Sequence, residues 1–173
     1  MKIDIPVVIK SFDEHNAVKD TVLRLLDDQK SSEACGGNEH ITKTDWFVDV
    51  HQPRDYWDFL AGYLWPRVLE VCINSFHYPF NSSDNKVTNF WFQQYSKGDF
   101  HGWHRHGFSS VSAVYFLELP DNKGTEFKLP QSSEIYQPEV KEGDILIFPA
   151  FLVHRSPVND TEKRKTIVAF NVG

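Results

Sequence analysis

The hydrophobic pattern of this chain changes period part-way along. The opening IPVVIKSF is short and apolar, as an extended strand is. From Ser11 to Lys30 the apolar positions Val18, Val22, Leu25 and Leu26 recur at helical intervals, which predicts an amphipathic helix. Its start carries Ser11-x-x-Glu14, a spacing at which each side chain can satisfy an open backbone N–H. The segment SSEACGGNEH then reads as a loop. A second helix is predicted to open at Pro53, where a missing N–H costs nothing, with Trp57, Leu60, Ala61, Leu64 and Val68 on its apolar face. Pro66 is expected to kink or split it, because proline removes a hydrogen bond and crowds the preceding turn.

From Val87 onward the period shortens. VTNFWFQQY, SSVSAVYFLEL, GTEFKLP, GDILIFP and KTIVAFNV are β-branched and aromatic runs separated by Gly, Pro, Asn and Asp turns. The expected architecture is mainly β with N-terminal helices (α+β), a sandwich or barrel in one domain over residues 1–173. Residues 1–86 would be mostly helical support and residues 87–173 the β core that carries the site. A chain of 173 residues can bury about two thirds of its unfolded surface in one such unit.

Composition narrows the partners. Aromatic residues at 14% favour a packed core over disorder. A net charge of -6 repels a phosphate backbone, and only the run EKRK at 162–165 is basic, so no nucleic-acid partner is expected. No apolar run approaches the roughly 18 residues of a membrane span. MKIDIPVVIKSF has no hydrophobic segment of signal-peptide length, and Cys35 and Cys72 read as free thiols. A cytoplasmic monomer or homodimer is expected.

The candidate chemistry sits in GDFHGWHRHGF, which holds three of the eight histidines as H-x-x-H-x-H. On a strand His104 and His106 share a face while Arg105 points away, a two-point metal grip. The third ligand is predicted to be His154, at the end of GDILIFPAFLVH, with Phe148, Phe151 and Leu152 as a dry wall. In the strand R-K-T-I-V-A-F-N, Arg164, Thr166, Val168 and Phe170 share one parity. A guanidinium and a hydroxyl can therefore face the histidines, where the guanidinium needs an anionic partner. Tyr95 adds a phenol at the end of a strand entering the site. His101 reads as a partly exposed loop histidine without a chemical role before a group supporting the ligands or a substrate contact, or as a substitute for His106 as third ligand. Taken alone, EKRK is a solvated charge run. Trp91 and Trp103 read as core before groove, and His77 as structural. The N-x-[ST] matches at Asn81 and Asn159 carry no weight in a cytosolic chain.

Taken together, Y-x-x-G-x5-H-x-H, SAVYFLELP, GDILIFPAFLVHRSPV and R-K-T-I-V-A-F-N resemble the iron(II) and 2-oxoglutarate-dependent oxygenases. The nearest type is the small prolyl-hydroxylase-like proteins of bacteria and tailed phages. The resemblance covers residues 87–173. It implies a double-stranded β-helix, the jelly-roll or cupin-like barrel, with Fe(II), 2-oxoglutarate as cosubstrate and O2. It places the metal on His104, His106 and His154. It places the far carboxylate of 2-oxoglutarate on Arg164 and Thr166, with Tyr95 and Phe116 bordering it. The implied reaction couples decarboxylation of 2-oxoglutarate to hydroxylation of a substrate C–H bond, in a prolyl or other protein side chain or in a small molecule. A protein of phage origin would act in the host cytoplasm.

One position departs from the family. Two imidazoles and a carboxylate form the facial triad suited to non-haem Fe(II), and His106 stands where the carboxylate belongs. Three neutral ligands leave the ion its full charge, which favours an anionic cosubstrate electrostatically. Two other readings follow: a cupin-like three-histidine metalloenzyme that does without 2-oxoglutarate, and a non-enzymatic binding module on the same barrel.

Overall fold

Among the described residues an antiparallel sheet of eleven strands organises the fold. The computed structural model describes residues 5–49, 51–76, 86–130 and 133–173. His77 and Asn81 lie outside the described residues. The elements are β1 (Val8–Ser11), α1 (His15–Asp28), β2 (Ser32–Gly36), β3 (Glu39–Thr44), α2 (Asp55–Ser75), β4 (Val87–Tyr95), β5 (Phe100–His104) and β6 (Val111–Glu118). They continue with β7 (Glu126–Lys128), β8 (Ile135–Tyr136), β9 (Asp144–Pro149), β10 (Val153–Ser156) and β11 (Lys165–Val172). The strands lie in the order β1-β9-β6-β11-β4-β3-β5-β10-β7-β8, with β2 on the side of β3. The N-terminal half therefore supplies three strands as well as both helices.

Two cores lie on opposite faces of the central strands. On one face Ile145, Ile147, Tyr115, Val168 and Phe170 pack with Val22, Leu26, Leu60, Leu64 and Val68 of the helices. On the other, Phe116, Leu146, Phe148, Ile167 and Ala169 meet Trp91, Tyr95, Phe127 and Leu152 inside the curled sheet. All eight residues of β11 are buried, so this strand carries no alternation of polar and apolar positions. Which of its two faces enters the barrel is settled by its neighbours alone.

Three local expectations need correction. Ser11 does not cap α1: it is the last residue of β1, paired with Asp144, and its hydroxyl donates to the Asp144 carboxylate at 3.2 Å. The helix starts instead on backbone bonds, with the Phe12 carbonyl accepting from His15 and the Glu14 carbonyl from Ala17 and Val18. The Glu14 carboxylate is drawn away to Arg67 of α2 at 2.5 Å. Nor does Pro66 split the second helix, which runs unbroken from Asp55 to Ser75. Leu60, Leu64, Val68, Val71 and Cys72 are all buried along it, and packing of such a face outweighs one lost backbone bond.

SSEACGGNEH, finally, is not a loop. It forms most of the β2–β3 hairpin, closed by the pair Gly36 and Glu39 over a two-residue turn, Gly37-Asn38. Gly-Asn between short strands is itself a hairpin cue. The turn lies directly on β5: the Gly102 N–H donates to the Asn38 carbonyl at 2.7 Å. A Cβ at position 102 would sit 2.6 Å from that carbonyl oxygen, so only glycine lets the hairpin close over this strand. Beyond the hairpin, buried Asp45 accepts from Arg54 at 2.6 Å, from Tyr56 at 2.8 Å and from the Phe92 N–H at 2.9 Å. It ties the start of α2 to β4.

Candidate metal centre

β5 and β10 bring the first two histidines together, since His104 and His154 are directly opposite in register. His106 follows just beyond β5, anchored by its own N–H to the Ala150 carbonyl at 3.0 Å. The coordinating atoms of His104, His106 and His154 all lie within 4.8 Å of one another, close enough to share one ion. Their hydrogen bonds prepare them for it. The Nδ1 of His104 bonds the Gly102 carbonyl at 2.8 Å, and the Nδ1 of His154 bonds the Leu152 carbonyl at 2.8 Å. A carbonyl can only accept, so Nδ1 carries the proton in both rings and Nε2 presents its lone pair.

The third ring is held differently. The Asn171 side-chain amide lies 3.2 Å from His106 Nδ1 and bonds the Ser112 hydroxyl at 2.7 Å. With the amide oxygen towards the ring, Nδ1–H donates and Nε2 is open to an ion. With the amide nitrogen towards it, Nε2 keeps the proton. The amide and the serine hydroxyl can both reverse their roles, so metal binding selects the first arrangement. The donor set would suit a divalent non-haem ion: three imidazole nitrogens converge, and a cleft adjoins them.

Burial keeps these rings neutral, the form that binds metal. It pulls His154 down to about 3, with the neighbouring His104 adding to the effect, and His106 down to about 4 for the same two reasons. His101 falls to about 3 by burial and its proximity to His104 and His106, and His104 is lowered by burial. Below pH 6.5 the unfolded chain therefore takes up protons that the folded one refuses, so folding stability must fall as pH drops. The metal-free protein is expected to lose melting temperature steadily from pH 6.5 to about 4, with His101→Gln removing one proton from that slope. An unchanged slope in His101→Gln would show that His101 does not take part.

His101 is no idle loop residue. Its ring stacks on His104 with centroids 3.9 Å apart and planes 12° from parallel. Its Nε2 lies 3.4 Å from the Glu39 carboxylate and its Nδ1 3.4 Å from the Gln93 amide. On a regular strand residues three apart point to opposite faces. Here His154 pairs with His104 and Ser156 with His101, so three steps on β5 face two on β10, and this bulge turns both histidines the same way.

The expectation for Arg164 and Thr166 is corrected by the strand's facing. Both side chains bond Glu118: Arg164 through Nε at 2.7 Å and Nη2 at 3.2 Å, Thr166 through its hydroxyl. They share the parity of Val168 and Phe170, which face the helices and not the histidines. The residue between them, Lys165, shares the parity of Ile167 and Ala169, which belong to the interior cluster. Lys165 is 3% exposed, and its ammonium donates to the Lys123 carbonyl at 2.8 Å, the Gly124 carbonyl at 3.0 Å and the Ser156 hydroxyl at 2.9 Å. Burial brings its pKa down to about 7. It stands opposite Tyr95 in register, with the ammonium 5.6 Å from the centre of that ring.

Tyr95 is fully buried, and its hydroxyl donates to Gln93 at 2.7 Å. Phe116 is buried in the same interior cluster, as is Phe148, whose ring lies 4.8 Å from His154. Phe151, by contrast, is exposed. Trp91 lines the site, its ring 5.6 Å from His106, whereas Trp103 sits outside it, with the Lys128 ammonium and the Arg155 guanidinium each 4.5 Å from its ring. Asn159 braces the backbone, its amide donating to the Tyr95 and Lys163 carbonyls at 3.1 and 2.9 Å.

Two spaces adjoin the histidines. A cleft of about 190 Å³ lies against His101, His104 and His106, walled by Ile41, Trp91 and the half-exposed Trp46. Its lip carries Phe47 and Arg105, and among the described residues that line it Glu39 is the one carboxylate. The second space, about 30 Å³, lies deeper among His154, Tyr95, Thr125 and Ser156. It holds roughly one water. Trp91, Gln93, His101, His104 and His106 line both spaces and so stand between them.

Residues 89–171 match the family model described as "Putative 2OG-Fe(II) oxygenase". Over these residues, just under half of its length, the chain is similar to the 2OG-Fe(II) oxygenases. The family's cofactors are Fe(II), 2-oxoglutarate and O2. Among curated proteins no sequence relative matches. Solved structures share the fold over nearly the whole chain. A Pseudomonas putida prolyl-4-hydroxylase has 17% identity and a TM-score of 0.66, covering 97% of this chain and 92% of its own. An oxidoreductase of the 2OG-Fe(II) oxygenase family from Burkholderia pseudomallei has 14% identity and a TM-score of 0.74, covering 96% and 85%. HygX from Streptomyces hygroscopicus, solved with nickel, 2-oxoglutarate and hygromycin B bound, has 12% identity and a TM-score of 0.68, covering 98% and 83%. The fold is thus the double-stranded β-helix of these oxygenases with two supporting helices. Among the described residues no helix is long and apolar enough to cross a membrane.

Proposed function

We propose that this protein is an Fe(II)- and 2-oxoglutarate-dependent dioxygenase that hydroxylates a C–H bond of a substrate lying in the cleft beside Trp46 and Trp91. The reading rests on one observation above others: the three converging histidines and the buried ammonium of Lys165 face the same barrel interior. His104, His106 and His154 would hold the iron. Lys165, with Tyr95 and Ser156 around it, would take the far carboxylate of 2-oxoglutarate, the role that the family resemblance gives to Arg164 with Thr166. When bound, the iron supplies the oxidising chemistry and draws the electrons for it from the cosubstrate. The protein's part is placement and exclusion. Phe116 and Phe148 keep the interior dry, and His101, braced by Glu39 and Gln93, fixes the face of His104.

The lip suits an apolar group. Trp46 and Phe47 are exposed there although both are large and aromatic, and Arg105 adds one positive charge. A prolyl residue in a peptide is the substrate to test first, supported by the lip and by the prolyl-4-hydroxylase among the similar folds. The small-molecule complex of HygX makes a small substrate the second class. A monomer or homodimer acting without nucleic acid or membrane is the proposed setting.

The test is anaerobic titration of the metal-free protein with Fe(II) and then 2-oxoglutarate. A visible metal-to-ligand charge-transfer band should develop with the second addition. Iron binding without that band favours the second reading, a three-histidine metalloenzyme whose substrate meets the metal directly. Two observations speak for that alternative: the narrow inner space, and the three acceptors that already satisfy Lys165.

A further inference from the structure

The β2–β3 hairpin carries a second group of metal-ligating side chains, outside the barrel and chemically unlike the first. Glu33 and Cys35 lie two apart on β2 and share a face, and Cys35 is directly opposite His40 on β3. The coordinating atoms of Glu33, Cys35 and His40 all lie within 4.8 Å of one another.

The anchoring of His40 points to an ion. Its Nδ1 lies 2.5 Å from Asp99, a carboxylate only 2% exposed. The other Asp99 oxygen accepts from the Thr42 N–H at 2.9 Å, the Thr42 hydroxyl at 2.6 Å and the Ser96 N–H at 2.9 Å. A carboxylate so committed holds the imidazole proton on Nδ1. The Nε2 lone pair is then turned to Glu33, whose oxygen lies 3.6 Å away, too far for a hydrogen bond. Carboxylate, histidine and metal in line is the usual way a protein orients a ligating imidazole. With the ring neutral and the thiol deprotonated, three lone-pair donors face one another with room for a cation between them.

We propose that Glu33, Cys35 and His40 form a surface site for a borderline-soft divalent cation, zinc above all, with a fourth position left to water. A mixed sulfur, nitrogen and oxygen set suits zinc, whereas the all-imidazole triad in the barrel does not need thiolate. On binding, the Cys35 thiol loses its proton to solvent and the sulfur–metal bond takes its place. The site does not depend on the oxygenase reading.

Cobalt(II) tests the idea, because only a thiolate ligand gives cobalt its intense near-ultraviolet charge-transfer band. The reduced, metal-free protein should bind two equivalents of cobalt, one of them with this band. Cys72 is buried, so Cys35 is the available sulfur. Cys35→Ser should remove the band and reduce the stoichiometry to one, and His40→Gln should weaken the thiolate-linked site at least tenfold. Zinc should likewise slow alkylation of Cys35. The proposal is overturned if no such band forms, if Cys35→Ser still binds two ions, or if His40→Gln keeps full affinity.

Discussion

Lys165→Met is expected to raise the 2-oxoglutarate concentration needed for half-saturation by about thirtyfold or more, while Arg164→Ala changes it by less than about threefold. The contrast follows from burial. Removing one partner of a buried, hydrogen-bonded charge pair costs about 2–5 kcal/mol, and about 1.4 kcal/mol is a factor of ten. Lys165 is enclosed on every side, whereas Arg164 forms a half-exposed pair with Glu118, of a kind worth about 0–1 kcal/mol. Iron affinity, measured without cosubstrate, should be unchanged in both variants, which separates loss of the anion site from loss of the fold. Protons give an independent readout. The ammonium pKa is brought down to about 7 in the resting protein, and a bound carboxylate must raise it. At pH 8 binding should therefore take up a proton in the parent protein, and calorimetry in buffers of different ionisation enthalpy should find none taken up by Lys165→Met.

His154→Ala should lower iron affinity by more than about a hundredfold, beyond the 10–100-fold typical of losing a supporting partner alone. His104→Ala should match it. His106 is the more informative position. His106→Ala should weaken iron binding, and His106→Asp should restore it, because a carboxylate there supplies the usual third ligand and offsets one positive charge. If His106→Ala binds iron as tightly as the parent, the third ligand lies elsewhere.

The β-rich half and its strands are legible from the β-branched and aromatic runs of residues 87–173. Strand facing pairs His104 with His106, His154 joins them through its place after an apolar strand and the family resemblance, and the structure brings all three together. What escapes is facing. β11 is buried on both sides, so its parity says which residues travel together and not which set enters the barrel; a shift of one residue exchanges Arg164 for Lys165. His101 escapes because a bulge breaks the two-residue rule that would set it apart from His104. The hairpin β2–β3 is hidden by its composition, mostly polar with Ala34 and Ile41 its buried apolar residues, although its Gly37-Asn38 turn is visible. Capping at Ser11 fails because a distant strand claims the same residue, a competition that no local pattern records.

The extra residue in β5 makes the centre sensitive to counting as well as to chemistry. Between His101 and His104 the chain uses three steps where β10 uses two, and Gly102 inside that stretch also bears the hairpin turn. Shortening this segment by one residue would leave every histidine in the sequence and yet turn one of the two rings out of the barrel. In a relative of this protein, the spacing between these two histidines is therefore as telling as their presence.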